Sequence, residues 1–216
     1  MIVHSSDRVV LVGGADIGPE DLNISQSGHA NFVAVDGGAD HLLAAGIVPD
    51  AVIGDLDSIS DAARDAFAGL LHRIDEQESV DFEKAVSRIS APLIYAVGFA
   101  GGRLDHSLAV LDAMARLERR IILVGRDDLT AVIPRGGLHL AGLEIGQRIS
   151  LMPMAPAVVQ AEGLQWPVSG KPMAPLGFAS PSNAVSAPDV VLRAEGPVLL
   201  IGPREMRAAL DTAMMG

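Results

Sequence analysis

Asp55 and Asp57 stand two residues apart, just after an apolar run, in Pro49-Asp50-Ala51-Val52-Ile53-Gly54-Asp55-Leu56-Asp57-Ser58. In an extended chain that spacing points both carboxylates the same way. Two convergent carboxylates suit a hard cation such as Mg2+, which takes oxygen ligands and leaves room for phosphate oxygens. Asp36 ends another apolar run, in Asp36-Gly37-Gly38-Ala39-Asp40, where Gly37 and Gly38 allow a ligand close to the backbone. Taken singly, these residues are also ordinary turn and cap chemistry. Their density in one short stretch is what favours a site.

Glu76-Gln77-Glu78-Ser79-Val80-Asp81-Phe82-Glu83-Lys84-Ala85 is the second group. On a helix starting at Val80, Asp81 and Lys84 share a face and Arg88 lies a turn further on. An acid able to reach metal or a substrate proton then sits beside a base able to reach phosphate. The same spacing also describes an ordinary exposed ion pair. The third group, Gly98-Phe99-Ala100-Gly101-Gly102-Arg103-Leu104-Asp105-His106, reads as a glycine-rich turn from strand to helix. Such a turn offers N–H groups to an anion. Arg103 would add a forked phosphate contact, and Asp105 either caps the helix or orients Arg103, a metal-bound water or the substrate. No Gly-Lys-Ser/Thr follows, so this is not a Walker A loop. Further on, Ser182-Asn183 falls in a polar stretch, and Trp166 is the single tryptophan.

The elements that must position these residues change character along the chain. Apolar runs at Val9–Val12, Phe32–Val35, Ala51–Ile53, Leu93–Val97 and Ile121–Val124 predict strands, with Leu70–Ile74 a weaker one. Between them, helical patterns fall at Ala39–Ala45, Asp61–Ala68, Val80–Ile89 and His106–Glu118, with Ser60 as an N-cap and Gly69 as a terminator. This alternation predicts an α/β domain with a mostly parallel, Rossmann-like sheet. After about Gly125 come short β-like runs at Thr130–Ile133, Leu138–Leu140, Arg148–Met152, Val158–Ala161, Val190–Ala194 and Val198–Ile201. They predict an all-β sandwich or barrel. The expected division is 1–128 and 129–216, with Ser169–Pro188 a mobile loop.

The net charge of -11 argues against a nucleic-acid partner. It is uneven: 19 acidic and 9 basic residues precede position 126, against 8 and 7 from Arg126 onward. With no cysteine there is no disulfide or thiolate chemistry. No apolar run is long enough to span a membrane, and the N-terminus lacks a signal-peptide pattern. The expected location is the cytoplasm.

In order and spacing, Asp36-Gly37-Gly38-Ala39, Pro49-Asp50 with Gly54-Asp55-Leu56-Asp57-Ser58, Asp81-Phe82-Glu83-Lys84-Ala85 and Gly101-Gly102-Arg103-Leu104-Asp105-His106 resemble the thiamine pyrophosphokinase family. Gly163-Leu164-Gln165-Trp166 and Ser182-Asn183 agree more loosely. The resemblance implies an ATP-binding α/β domain followed by a β-sandwich. It also implies a homodimer with thiamine held between the α/β domain of one subunit and the β domain of the other. The implied reaction converts ATP and thiamine to thiamine diphosphate and AMP. Asp55, Asp57 and Asp81 would hold Mg2+ and phosphates, and Gln77 and Asp81 would lie beside the substrates. Asp36, Gly37, Gly38, Gly102, Arg103, Asp105 and His106 would serve the nucleotide, and Ser182 and Asn183 would approach thiamine. Lys84 and Arg103 would neutralise charge, and either Asp81 or Asp105 would orient the attacking hydroxyl. Glu76-Gln77-Glu78 and Val80 depart from the family's usual Asp-Gln-Asp and hydroxyl or amide before the aspartate. That departure keeps open a pyrophosphokinase for another heterocyclic alcohol, such as a hydroxymethylpterin. A non-catalytic sensor of thiamine diphosphate or a nucleotide is the rival of another class.

Overall fold

The structure, a computed structural model, describes residues 1–23, 31–76 and 78–216. The chain divides into two compact units. The first comprises Met1–Ala113 with Leu123–Arg126, and the second Met114–Ile122 with Asp127–Gly216.

The first unit alternates strands and helices. In chain order these are β1 (Val3–His4), β2 (Val9–Val12), β3 (Asn31–Val35), α1 (Gly38–Ala44), β4 (Ala51–Gly54), α2 (Asp61–Ala66), β5 (Leu71–Arg73), α3 (Asp81–Val86), β6 (Ile89–Ser90), β7 (Ile94–Val97) and α4 (Leu104–Arg116), whose residues from Met114 on belong to the second unit. β8 (Ile121–Val124) lies where the chain passes between the units. β2 pairs in parallel with both β3 and β7, β3 with β4, and β4 with β5. Every residue of β2, β4 and β7 is buried, as the unbroken apolar runs of a sheet covered on both faces require. The weak strand expected at Leu70–Ile74 is present as β5 and sits at the end of this order. Ser60 caps α2 by accepting the Ala63 N–H, but the helix ends at Ala66, before Gly69 is reached. β1 and β6, absent from the expectation, form a separate two-residue parallel pair.

The second unit is β-rich. Its strands are β9 (Asp128–Val132), β10 (Leu138–Leu140), β11 (Arg148–Pro153), β12 (Ala157–Glu162), β13 (Pro172–Met173), β14 (Ser180–Ala184), β15 (Val190–Glu195) and β16 (Val198–Pro203), closed by α5 (Arg207–Met215). They form two antiparallel arrays, β14-β11-β16-β9 and β10-β15-β12-β13. Burial alternates along β10 and the first residues of β12, the pattern of strands with one face on the core. α5 packs on β10, and the Arg120 guanidinium donates to the Met214 and Met215 carbonyls at its last turn. Those carbonyls have no partner within a helix end.

The expected loop at Ser169–Pro188 is corrected in two places, where β13 and β14 run as strands. Ser180-Pro181-Ser182-Asn183-Ala184 has little strand propensity of its own. Pairing with β11 across a bulge supplies the order instead. The buried Asn183 amide completes it: its oxygen accepts the Trp166 N–H, and its NH2 donates to the Trp166 carbonyl and Ser180 Oγ. Asn183→Ala would strand both Trp166 backbone groups. It should lower the unfolding free energy by about 2–4 kcal/mol, measured by denaturant titration. A loss within error would show that this amide does not tie β14 in place.

Candidate active site

A cavity of about 440 Å3 opens at the C-terminal ends of β7, β2 and β3, three neighbouring strands of the first unit. Its floor is Gly13, Gly14 and Gly98, the residues that follow β2 and β7. The chain leaves β2 for β3 on one side while β7 lies on the other. Ligands bind at such a divergence, outside the carboxyl ends of the strands. Asp36, Gly37, Asp81, Gly102, Arg103 and His106 line the cavity, as do Phe82 and Phe99. The two phenylalanines meet edge to face, 5.0 Å between centroids.

Asp36 follows β3 with φ +45° and is buried. Its Oδ1 accepts the Leu56 N–H at 2.8 Å. A Cβ at Gly54, where φ is +155°, would overlap this carboxylate, so glycine there is what gives Asp36 its space. Burial pushes the Asp36 carboxyl up to about 6; the Leu56 N–H opposes the rise, and the charges of Asp81, Asp55 and Asp57 add to it. Gly38 opens α1 directly against the end of β2, where any Cβ would collide with the Val12 carbonyl. The serine Oγ of Ser58 accepts the Gly37 N–H at 3.3 Å.

Asp55 and Asp57 do come together, though not through extended chain. Leu56 between them has φ +65°, and the turn is closed by the Asp57 N–H donating to Asp55 Oδ1 at 3.1 Å. The Asp55 charge raises the Asp57 pKa, and Asp81 adds to the effect. Neither residue forms part of the cavity wall.

The Asp81–Lys84 pair differs from an exposed helical ion pair. The Nζ of Lys84 lies 2.8 Å from Asp81 Oδ1, yet the lysine side chain is only 3% exposed against 42% for the aspartate. Burial works against the ammonium. The bond to Asp81 and the charges of Asp81, Glu76 and Asp55 outweigh it, so the net shift is upward. Arg88 turns back to donate to the Lys84 carbonyl at 2.8 Å and closes the helix. Asp105 lies in the first turn of α4. It holds Arg103 by two bonds, Nε to Oδ1 at 3.2 Å and Nη2 to Oδ2 at 2.6 Å. Arg103 in turn lowers the Asp105 pKa.

Of the other expected site residues, Gln77 lies outside the described residues. Ser182 and Asn183 belong to the second unit, Ser182 exposed with φ +55° and Asn183 buried. Among the described residues no three His, Asp or Glu side chains form a ready-made metal cage. The mutual repulsion of Asp36, Asp55, Asp57 and Asp81 is nonetheless the electrostatic condition that a divalent cation relieves. Mg2+ ordinarily takes only one or two carboxylates, with substrate phosphates and water completing its shell.

Residues 26–124 match the family model described as "Thiamin pyrophosphokinase, catalytic domain". Over this segment the chain is similar to the thiamine pyrophosphokinase family. It is 30% identical over 170 residues to thiamine pyrophosphokinase 1 of Arabidopsis thaliana, covering 70% of this chain and 64% of that one. It is also 30% identical over 163 residues to thiamine pyrophosphokinase 3 of Oryza sativa subsp. japonica, covering 67% and 61%. The matched stretch thus spans less than two thirds of either plant protein. The crystal structure of thiamin pyrophosphokinase from Geobacillus thermodenitrificans shares the fold, with TM-score 0.76, 24% identity, and coverage of 91% of this chain and 97% of that one.

Within this family fold, sequence reading passed over Gly13, Gly14 and Gly98 as parts of one floor, and Phe82 and Phe99 as parts of one wall. Glycines placed directly after two apolar runs were the available signal. The order of the strands, which makes them neighbours, is not written locally.

Asp36 also yields a pH dependence. An unfolded carboxyl titrates near 3.8 and the folded one near 6. The folded state therefore gains from protonation of Asp36 at low pH and loses that gain as pH rises through about 6. Asp36→Asn keeps an acceptor for the Leu56 N–H and removes the charge. In magnesium-free buffer it should add about 2–3 kcal/mol to unfolding at neutral pH and almost nothing near pH 4. Chemical denaturation at both pH values checks this, and an equal gain at both would refute the electrostatic account.

Proposed function

We propose that this chain transfers the pyrophosphoryl group of ATP to the hydroxyl of thiamine, giving thiamine diphosphate and AMP. The observation that carries the proposal is the convergence, in one cavity at the ends of β7, β2 and β3, of carboxylates from two elements with Arg103 and His106 from a third segment. In this reading the first unit is the Rossmann-like, ATP-binding catalytic domain, divided from the rest near residue 128. The second unit is the sandwich domain that serves thiamine. Ser182 would meet the alcohol, and Asn183 would hold the strand that presents it. A homodimer working in the cytoplasm, with thiamine held between the first unit of one copy and the second unit of the other, completes the reading.

Asp55, Asp57 and Asp81 would hold Mg2+, which when bound supplies neutralisation of phosphate charge. Everything else falls to the chain itself. Gly37 and Gly102 bring backbone close to the nucleotide, and Asp36 and His106 offer it hydrogen bonds. Arg103, pre-set by Asp105, meets phosphate oxygens with its planar fork. Lys84 is spent on orienting Asp81 and adds positive charge from beneath. With both Asp105 oxygens engaged by Arg103, Asp81 is the better placed to accept a proton, since it alone of the two lines the cavity. The alcohol oxygen bonds to the β-phosphorus, the bond from that phosphorus to the α,β-bridging oxygen breaks, AMP leaves, and the alcohol proton passes to Asp81. Positioning and electrostatics carry most of such a transfer.

The test is AMP formation from magnesium–ATP with and without thiamine, with the product identified by mass spectrometry. AMP and thiamine diphosphate should appear together and only when thiamine is present. AMP formed with a hydroxymethylpterin instead would reassign the acceptor, and tight binding without AMP would make the protein a sensor. Asp57→Ala should fold normally and lose about 100-fold or more in turnover. Near-normal turnover in that variant would remove Asp57 from the metal site.

A further inference from the structure

We propose that Glu76 and Ser79 are positioning residues for the transfer, a locked turn that fixes where α3 begins and so where Asp81 and Lys84 point. This rests on the functional reading above. α3 is only six residues long, and Val80 at its N-cap contributes no side-chain bond to the first turn. So short a helix has little stability of its own. Phe82, Ala85 and Val86 bury its inner face, but apolar contact is non-directional and leaves small rotations and slides open.

The turn before it supplies the missing directional tie. The Glu76 carboxylate accepts three hydrogen bonds: from the Glu78 N–H at 2.9 Å, from the Ser79 N–H at 3.2 Å, and from the Ser79 hydroxyl. One side chain therefore ties both Glu78 and Ser79, the residues just before Val80 and α3. Its charge also acts on Lys84, the buried partner of Asp81. Glu76 and Ser79 are half-buried, and neither is part of the cavity wall. Removing them leaves every wall residue present and changes only how firmly α3 is held. Displacements of this kind are costly: about 1 Å of misplacement can lower a rate about 100-fold.

The experiment measures kcat, and KM for magnesium–ATP and for thiamine, in Glu76→Ala, Ser79→Ala, the double variant and Glu76→Gln. All are assayed well below their unfolding transitions, with folding checked by circular dichroism. Glu76→Ala should lower kcat by about 10-fold to 100-fold, and Ser79→Ala by a few-fold. The double variant should match Glu76→Ala alone, because the two residues act as one unit. Glu76→Gln, whose amide oxygen still accepts from Ser79, should recover part of the loss, and KM for thiamine should stay put.

Wild-type kcat in the folded variants, even with a lowered unfolding temperature, would make the turn merely structural and overturn the proposal. So would losses that multiply in the double variant. If the wild-type protein makes no thiamine diphosphate, the functional reading fails by itself. The pair is then judged by calorimetric dissociation constants for magnesium–ATP, which need no alcohol. Weakening in the same order across the variants supports the positioning role, and unchanged constants, or a wild type that binds no magnesium–ATP, overturn it.

Discussion

The Asp36 carboxylate occupies the space that a side chain at Gly54 would fill, bonded there to the Leu56 N–H. Three consequences follow from this contact. It ties the end of β3 to the turn after β4, and it is accompanied by positive φ at both Asp36 and Leu56. That geometry brings the Asp55 carboxylate within reach of the Asp57 N–H. It also buries a carboxyl beside other carboxylates, and the cost shows in the raised pKa of Asp36. Strained backbone and unfavourable charge are tolerated where the surrounding structure over-determines them, and such features gather at functional sites.

The Asp81–Lys84 pair is built on the same principle with the signs reversed. Lys84 is buried, which by itself disfavours an ammonium, and Asp81 compensates at 2.8 Å. A buried charge paired this closely acts as a geometric pin, because removing either partner would leave the other uncompensated. Asp81 is thus held from below by Lys84 while its exposed side faces the cavity. Arg103 is oriented in a comparable way by Asp105, but on the surface, where a pair of this kind contributes little stability. Asp105 serves direction there, leaving the guanidinium fork aimed by two bonds.

The two units divide the labour by architecture. Parallel strands in the first unit end together and open a cavity where the chain diverges between β3 and β7. The second unit uses antiparallel pairing, a buried asparagine and an arginine-capped helix to order segments whose own composition is loose. The shared fold is consistent with that division, because sites are carried by particular residues on a common scaffold.

By itself the sequence determined the strands at Val9–Val12 and Ile121–Val124, the Ser60 cap and the four motif segments. Apolar run length, capping chemistry and residue spacing are local properties that a chain displays before it folds. Three other matters were decided by the tertiary structure. β14 exists because β11 pairs with it, although Ser180-Pro181-Ser182-Asn183 reads as loop. Asp55 and Asp57 are brought together by a left-handed Leu56 and the Asp36 bond, since the expected extended alternation does not occur there. The Asp81–Lys84 pair is more than a surface pair because α3 lies on buried strands that remove the lysine from water. In each case the deciding contact joins residues far apart in the chain, or depends on solvent exclusion. Neither the order of strands nor the depth of burial is encoded in any local pattern.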